Sequence, residues 1–443
     1  MAQAVTWLKR LRGAGERPQL AGALLSPPRE TLFRQEAAGG VTYRIPALLH
    51  VPPATFLAFA EKRSSTRDED AEYLVLRRGL RRGHTVEWGP MEELPGLALP
   101  GRRTMNPCPV YEASSGTVFL FCICVERRVT EWHQILVGRS AARLCCAASR
   151  DGGRSWSALR DVTDEAVGAD LPRWATFAVG PGHGVQLASG RLAVPAYAYY
   201  VHGRLCGLPL PCCTRPHAFI FYSDDTGQSW HKGSLLRGMR TGECQVAEIG
   251  CGDRGTLLYC SARTPCRCRA VALSTDRGLR FGLPARCPAL REPPQGCQGS
   301  VVSFAAPDGA EDTQHWLLYS HPTDHRRRRD LGIYVNTAPP DGAGWRHPWV
   351  LQEGPCGYSD LAACPKGIFG CLFECGATSA CEEIAFCLFA LSTGGGAEVP
   401  CHGNGPVLEV LSPRDGGDSG ETSEEILLDA TPEEEKRGRA AFN

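Results

Sequence analysis

The chain has 443 residues, enough for two average domains or for one long repeat or barrel domain. Lys plus Arg and Asp plus Glu number 48 each, so no global electric field favours nucleic acid or an anionic membrane as a partner. The 50 glycines and 33 prolines supply many turns, which favours short strands over long helices.

The N-terminal residues 1–30 are rich in proline, glycine and arginine and predict a mobile basic leader. No apolar stretch of signal-peptide length follows the basic residues 7–12, and no segment reaches the roughly 18–20 apolar residues that span a bilayer. The 22 cysteines are therefore expected to be mostly reduced and buried, with a few exposed thiols open to acylation. Their spacing matches no zinc site, so we expect no metal and no cofactor.

Short strand candidates recur between Gly, Pro and Asp turns from about residue 31 to residue 390, and they are rich in the apolar and aromatic residues that sheets require. They are residues 55–61, 117–124, 143–149, 217–223, 256–262, 269–275, 300–304, 316–321, 331–336, 368–374 and 383–389. Helical periodicity is limited to a short stretch near residues 161–168. Residues 391–443 become Gly-rich and then acidic, which predicts a disordered tail.

Three octapeptides follow strand candidates and share one pattern, Ser-x-Asp-x-Gly-x-Ser-Trp. Residues 149–156 and 223–230 match it fully, and residues 274–281 are a degraded copy with Phe in place of Trp. Asp and Gly suit a tight turn, and the Trp would pack that turn onto the neighbouring sheet. A repeated unit between evenly spread strands indicates a β-propeller, and six blades of about 60 residues would use the chain.

These octapeptides are Asp-boxes, and together with Tyr-Arg-Ile-Pro at residues 43–46 they resemble the sialidase (neuraminidase) family. The resemblance covers roughly residues 31–390, and it implies a six-bladed β-propeller that hydrolyses terminal sialic acids as a retaining exo-α-sialidase. Within the family, residues 68–71 and 354–363 look most similar to the plasma-membrane ganglioside sialidase, the sialidase-3 type.

A sialic acid carries a carboxylate on its anomeric carbon, and the planar fork of arginine binds a carboxylate bidentately. The resemblance implies an arginine triad at Arg44, Arg263 and Arg328. Because residues 326–329 are all arginine, the sequence leaves a one-residue slip open for the third member. Arg63 would add a substrate contact. The resemblance gives two carboxylates orienting roles, Glu61 and Glu374.

The same carboxylate explains a tyrosine nucleophile, because an attacking Glu or Asp would approach a like charge. Sialidases are exceptions to the two-carboxylate rule of glycosidases for this reason. The resemblance places the nucleophile at Tyr358, its partner base at Glu243 and the acid/base at Asp68. Spacing alone leaves Asp68, Glu69 and Asp70 as alternatives for the acid.

Five further residues match family positions around the N-acyl and glycerol arms of the sugar: Met105, Asn106, Glu131, Tyr197 and Tyr199. Tyr197 and Tyr199 alternate along a strand and share one face, so both are expected to line the channel or both to lie in the core.

The implied substrates are sialylated glycolipids (gangliosides), with sialylated glycoproteins and oligosaccharides as further acceptors. Peripheral association with the plasma membrane, and also with endosomal or lysosomal membranes, is expected from the resemblance and from the basic residues 7–12 and 326–329. The alternative is a cytoplasmic enzyme. Two other functions compete: a non-catalytic sialoglycan-binding propeller and a protein-interaction propeller that merely shares Asp-boxes.

Overall fold

The computed structural model describes residues 29–250, 255–306, 315–339, 344–392 and 407–410, and these residues are mainly antiparallel strands. The all-β prediction is therefore confirmed, and every strand candidate named above overlaps a strand. Residues 1–28 of the predicted leader, residues 307–314 and most of the predicted tail lie outside the described residues.

The N-terminal part of the chain forms strand β1, two blades and two short helices. After β1 (Glu30–Arg34), the first blade contains β2 (Thr42–Val51), β3 (Thr55–Arg63), β4 (Ala71–Arg82), β5 (Thr85–Trp88) and β6 (Glu92–Glu93). The second blade contains β7 (Arg102–Glu112), β8 (Thr117–Glu126), β9 (Ala142–Ser149) and β10 (Arg160–Asp161). Helix α1 (Glu131–Val137) lies between β8 and β9, and helix α2 (Thr163–Ala166) follows β10.

Two more blades follow. The third contains β11 (Trp174–Val179), β12 (Val185–Gln186), β13 (Leu192–Val201), β16 (Thr214–Ser223) and β17 (His231–Lys232), with a separate hairpin of β14 (Arg204–Leu205) and β15 (Leu208–Pro209) inserted after β13. The fourth contains β18 (Cys244–Gly250), β19 (Thr256–Ala262), β20 (Cys268–Ser274) and β21 (Ala285–Arg291). Short 3-10 helices cover Asp68–Asp70, Gly168–Arg173, Pro211–Cys213 and Pro365–Gly367.

The remaining strands form one eight-stranded sheet. They are β1, β22 (Ser300–Ala305), β23 (His315–Pro322), β24 (Arg329–Asn336), β25 (Trp349–Cys364), β26 (Ile368–Cys375), β27 (Glu383–Ser392) and β28 (Val407–Val410). Strand β28 pairs with β27 from within the segment predicted to be a tail. Strand β1 also pairs with β27, so the N-terminal strand completes the last sheet.

The arrangement is propeller-like, because strands of successive sheets contact one another in a closed cycle. Strand β2 contacts β7, β7 contacts β13, β13 contacts β18, β18 contacts β22, β22 contacts β25, and β25 returns to β2. The prediction of six separate blades needs correction, since the described residues form four separate blades and the eight-stranded sheet. The physical reason is the 16-residue strand β25, which pairs with β24 and then with β26 without a break.

The octapeptide turns close the third strand of three blades with one hydrogen-bond pattern. In the second copy, Ser223 Oγ donates to Asp225 Oδ1 at 2.7 Å, and Gly227 N donates to Ser223 Oγ at 2.9 Å. The other two copies repeat both bonds. Gly227 has a φ of +87°, and a Cβ there would lie 2.2 Å from the Phe119 ring of the preceding blade. Trp230 packs edge-on against Phe121 of that blade, at 4.5 Å between ring centres. Each such turn therefore fastens its blade to the preceding one.

Candidate active site

A cavity of about 480 Å³ opens at the strand ends opposite the octapeptide turns. Twelve of the predicted site residues line it: Arg44, Arg63, Asp68, Met105, Asn106, Glu131, Tyr197, Tyr199, Glu243, Arg263, Arg328 and Tyr358. The other two, Glu61 and Glu374, are fully buried directly behind this lining. The structure thus brings together residues that are up to 330 positions apart in sequence.

A short hydrogen bond joins the predicted nucleophile to its predicted base. Tyr358, on β25, donates from its hydroxyl to Glu243 Oε1 at 2.5 Å. Arg263 Nη1 donates to the other oxygen of Glu243 at 2.6 Å and to the Tyr358 hydroxyl at 3.1 Å. Burial, then the negative charge of Glu243, raises the pKa of Tyr358 well above its usual value, and Arg263 and Arg328 oppose this rise. The phenol therefore keeps its proton at neutral pH, with an acceptor already in place.

Three arginines surround the Tyr358 ring. Arg44 comes from β2, Arg263 from the end of β19 and Arg328 from the residue before β24. The guanidinium carbons of Arg44 and Arg328 lie 5.9 and 5.5 Å from the centre of the Tyr358 ring. Of the four arginines at residues 326–329, Arg328 lines the cavity and the other three do not.

Glu374 fixes the first arginine and the tyrosine backbone together. Its carboxylate accepts from Arg44 Nε at 2.6 Å, from the Ile45 amide at 2.9 Å and from the Tyr358 amide at 3.0 Å. A Cβ at Gly357 would lie 2.2 Å from Glu374 Oε2, so only glycine permits this approach. Ile45 adopts a φ of +62°, an uncommon conformation that turns its amide toward the carboxylate.

Arg63 connects the predicted acid to a buried carboxylate. Its Nη1 donates to Asp68 Oδ1 at 2.5 Å, and its Nη2 donates to Glu61 Oε2 at 2.6 Å. Glu61 Oε1 accepts from the Asn106 amide at 2.7 Å, which holds the irregular part of β7 beside the cavity. Burial raises the pKa of Glu61, and the charge of Arg63 opposes this rise. The Asp68 side chain remains 71% exposed, so it is accessible from the cavity mouth.

The two acidic neighbours of Asp68 have other partners. Glu69 is hydrogen-bonded to Arg67, and Asp70 accepts from the Ser65 hydroxyl at 2.6 Å. Neither lines the cavity, whereas Asp68 does. Of the three carboxylates that sequence spacing left as candidates for the acid, Asp68 is therefore the one that lines the cavity.

Glu131 faces Tyr197 and Tyr199 across the cavity wall. It is the first residue of α1. Thr130 caps the start of this helix, because its hydroxyl accepts a hydrogen bond from the His133 amide at 3.0 Å. Glu131 is exposed at the mouth and lines the cavity. Loss of hydration, then the charges of Glu243 and Asp68, raises the pKa of Glu131 to about 7. Its carboxyl is therefore poised to change charge near neutrality.

Sequence reasoning missed several lining residues, among them Arg103, Arg240 and Gln295. Arg103 is buried and donates to the carbonyls of Glu126 and Val129, both at 2.7 Å, which holds the loop leading to α1. Burial lowers the pKa of Arg103. The Gln295 carbonyl accepts from Arg263 Nε at 2.9 Å. The amino-acid sequence does not show which backbone carbonyl faces a cavity, so the role of Gln295 could not be predicted. Arg103 lies two positions before the predicted site residue Met105, so it could have been proposed as a lining residue.

The loop that holds two of the arginines rests on a fully buried ion pair. Arg269 Nη1 donates to Glu292 Oε1 at 2.8 Å and to the Cys297 carbonyl at 2.9 Å. Arg328 Nη2 in turn donates to the Gly296 carbonyl of this loop at 3.1 Å. The pair supports the cavity wall from behind, because a buried charge is tolerated only when it is paired and hydrogen-bonded.

Comparisons with known proteins show which family the chain belongs to. The BNR repeat-like domain family matches residues 54–371. Human sialidase-3 is 56% identical over 390 residues, which cover 81% of this chain and 91% of the relative. Human sialidase-4 is 43% identical over 459 aligned positions, covering 84% and 94%.

A solved microbial sialidase, Hadza Hz136, has the same fold. It superposes with a TM-score of 0.65 at 24% identity, covering 79% of this chain and 66% of that longer chain. The sequence relatives span nearly their whole length and are well above the identity at which a family is certain. The chain therefore belongs to the animal sialidases, which are glycoside hydrolases of the exo-sialidase (neuraminidase) type, and within them to the sialidase-3 type.

Proposed function

We propose that this sialidase works with retention of configuration, with Tyr358 as nucleophile, Glu243 as its base and Asp68 as acid/base. The observation that carries the proposal is the 2.5 Å hydrogen bond from the Tyr358 hydroxyl to Glu243 inside a ring of three arginines. A buried phenol with a raised pKa needs a base within hydrogen-bond reach before it can attack.

The sialic acid carboxylate binds to Arg44, Arg263 and Arg328 in this proposal. Their positive charges also stabilise the phenolate character that Tyr358 gains during attack. The ion pair with Glu374 holds Arg44 in place before substrate arrives, which reduces the ordering cost of binding.

Two displacements follow. In the first, the Tyr358 oxygen bonds to the anomeric carbon while its proton passes to Glu243, and Asp68 protonates the leaving oxygen as the glycosidic bond breaks. In the second, water attacks the anomeric carbon, Asp68 accepts the proton of that water, and the tyrosyl oxygen leaves and recovers its proton from Glu243. Two inversions give net retention. The hydrogen bond from Arg63 holds Asp68 near the leaving group while leaving the carboxyl open to solvent.

The remaining lining residues contact the arms of the sugar in this proposal. Met105 and Asn106 border the N-acyl group, and Glu131, Tyr197 and Tyr199 face the N-acyl and glycerol arms. Both tyrosines line the cavity, which supports the first of the two placements expected for this strand face.

Gangliosides are the proposed principal substrates, with sialylated glycoproteins and oligosaccharides as further ones. The proposed location is the plasma membrane, peripherally, with endosomal or lysosomal membranes in addition and the cytoplasm as the alternative. Support comes from the similarity to sialidase-3 and from the exposed Arg326 and Arg327 beside the cavity. Among the described residues, no helix is long and apolar enough to cross a membrane.

Trapping with 2,3-difluorosialic acid tests the mechanism. The fluorine at carbon 3 slows hydrolysis of a covalent intermediate, so peptide mapping by mass spectrometry should find the sugar on Tyr358. Proton NMR during turnover of an aryl sialoside should show the α-anomer of sialic acid first. An adduct on another residue, or release of the β-anomer first, would contradict the proposal. Binding without any release would favour the non-catalytic alternative.

A further inference from the structure

Exposed apolar side chains concentrate on two neighbouring elements beside the cavity. Five of the eight large apolar residues exposed in the described part of the chain lie there: Trp132, Leu136 and Val137 on α1, and Leu205 and Leu208 on the β14–β15 hairpin. The other three are apart from one another: Leu80 on β4, Leu283 in the loop before β21 and Val350 on β25. Single exposed apolar residues are ordinary, but a cluster of this kind marks an interaction surface.

The hairpin presents its leucines at a narrow tip. Leu205 and Leu208 pair directly across a two-residue turn and are 64% and 71% exposed. The turn residues Cys206 and Gly207 both have positive φ, at 49° and 80°, as a tight hairpin with the natural strand twist requires. The tip is therefore a defined structure that projects two large apolar side chains into solvent.

The hairpin and α1 are joined at their bases. Arg204, on β14, donates from Nη2 to the Gly138 carbonyl just after α1 at 3.1 Å. Pro209, on β15, packs so closely on Gly138 that a Cβ there would lie 2.5 Å from it. The two elements therefore present one continuous surface, which we call the docking face.

The docking face adjoins the cavity mouth. The hairpin is inserted between β13 and β16, and cavity-lining residues of these strands, Tyr199 and Pro216, lie close to the insertion. Helix α1 begins at Glu131, which also lines the cavity. The octapeptide turn at the end of β16 lies at the opposite end of that strand.

The docking face is also basic. Residues 132–150 and 171–223 contain no Asp or Glu. Arg139, Arg204 and Arg215 are exposed around it, and none has an ion pair within the described ranges. Burial, then the positive charges of Arg215 and Arg237, lowers the pKa of His202 at the base of the hairpin.

We propose that this docking face binds an anionic lipid bilayer, with the hairpin tip and Trp132 inserted among the headgroups. Such an orientation turns the cavity mouth toward the sialic acids of membrane glycolipids, so the inference rests on the proposed ganglioside substrate. A bilayer fits better than a protein partner, because two leucines on a narrow tip can enter a soft interface, tryptophan prefers that interface, and unpaired arginines match anionic headgroups.

Vesicle sedimentation with the full chain tests the docking face. Vesicles of phosphatidylcholine alone and with phosphatidylserine contain no sialic acid, so binding is measured independently of turnover. The double variant Leu205→Ser/Leu208→Ser should lower the partition coefficient on phosphatidylserine vesicles by about tenfold or more. The matched control is Leu80→Ser. Leu80 is also exposed, but it pairs with Thr55 at the end of β3 opposite the cavity-lining Arg63, so binding should be unchanged.

Activity separates this inference from the proposed mechanism. All of these variants should hydrolyse a soluble aryl sialoside at the wild-type rate, while the hairpin double variant loses activity on ganglioside in phosphatidylserine vesicles. Wild-type vesicle binding by the double variant, or no binding by the wild type, would overturn the docking face and leave the chemistry untouched. A hairpin variant that instead changes a monomer–dimer equilibrium in ultracentrifugation would overturn it in favour of contact between copies.

Discussion

Polar side chains at the two ends of the blades find their hydrogen-bond partners in opposite ways. At the octapeptide end, Asp225 accepts from Ser223 Oγ and from the Ser229 hydroxyl, and every partner lies within four residues. At the cavity end, the Tyr358 hydroxyl meets Glu243 across 115 positions of sequence. The first network closes within one turn, whereas the second exists only when distant blades have assembled.

This difference predicts different consequences of damage. The octapeptide turns are repeated and local, so losing one removes a fraction of the stability and leaves the cavity intact. The cavity network is unique, and its residues are held by buried supports such as Glu374, so losing one removes function while most contacts of the fold remain. Mutations at the two ends should therefore separate activity from stability.

Among substitutions at the cavity end, Tyr358→Phe should cause the largest loss of activity. Removal of the hydroxyl should lower kcat for an aryl sialoside by about 10³-fold or more, roughly 4 kcal/mol, because no other group replaces the nucleophile. The melting temperature should stay close to the wild-type value, since the ring and the Tyr358 amide bond to Glu374 remain. Near-wild-type turnover by a folded variant would refute the nucleophile assignment.

Asp68→Asn should give a smaller and leaving-group-dependent loss. The amide keeps the shape of the side chain but cannot transfer a proton, so ganglioside hydrolysis should fall by about 10²-fold or more. Aryl sialosides should be less affected in the glycosylation step, because their leaving group departs without protonation. Rates for both substrate types, measured in parallel, check this expectation. Equal losses on both would place the acid on another residue.

Asp225→Ala breaks the octapeptide end instead. Loss of its hydrogen bonds should reduce the free energy of unfolding by about 1–2 kcal/mol, with kcat unchanged at 25 °C. Asp164→Ala, on the exposed side of α2, is the control and should have little effect. Chemical denaturation of both variants, followed by aryl sialoside assays, makes the comparison. A loss of activity without a loss of stability would contradict the division between the two ends.

The same turn should weaken in acid. Burial alone would raise the pKa of Asp225, but hydrogen bonds from Ser229 and Ser223 outweigh it and lower this pKa to about 2. Because the folded-state pKa is depressed, the stabilisation is present above the unfolded value near 4 and is lost as the pH falls toward 2. The stability difference between the wild type and Asp225→Ala should shrink over that range.

The sequence predicted the octapeptide end better than the cavity end for the same reason. A turn whose partners lie within eight residues leaves a pattern in the sequence, and the all-β fold followed from it. Spacing left Asp68, Glu69 and Asp70 equivalent, and it left four arginines open for one role. Three-dimensional contacts separate them: Asp68 meets Arg63, and Arg328 lies against the Tyr358 ring.

Two features of the structure had no sequence signal at all. The continuity of β25 through two sheet halves depends on its pairing partners, which local propensity does not specify, so the number of separate sheets was predicted wrongly. The carbonyls of Gln295 and Gly296, which hold two of the arginines, belong to the backbone, and any residue could supply them.

Glu131→Gln should produce a modest, pH-dependent change at the cavity end. With its pKa near 7, Glu131 is neutral in acid and becomes negative above neutrality, close to Glu243 and Asp68. A negative charge there disfavours an anionic substrate, so KM should rise severalfold for the wild type between pH 6 and 8. The variant cannot ionise and should show a flatter KM profile. A steep rise retained by Glu131→Gln would assign the titration to another group.

Removal of divalent metal is expected to have the smallest effect of all. In the part of the chain that the structure describes, no group of three or more His, Cys, Asp or Glu side chains could hold a metal ion. In the proposed mechanism, Arg44, Arg263 and Arg328 match the charge of the substrate carboxylate, and protein oxygen atoms position each of them. Protein-borne charge of this kind cannot be removed by a chelator, so kcat and KM for an aryl sialoside should be equal with and without EDTA. A loss of activity in EDTA that Ca²⁺ or Zn²⁺ restores would show that the arginines alone do not neutralise the substrate carboxylate. The cavity would then need a metal ion in addition to its distant side chains, whereas the octapeptide turns need only their own residues.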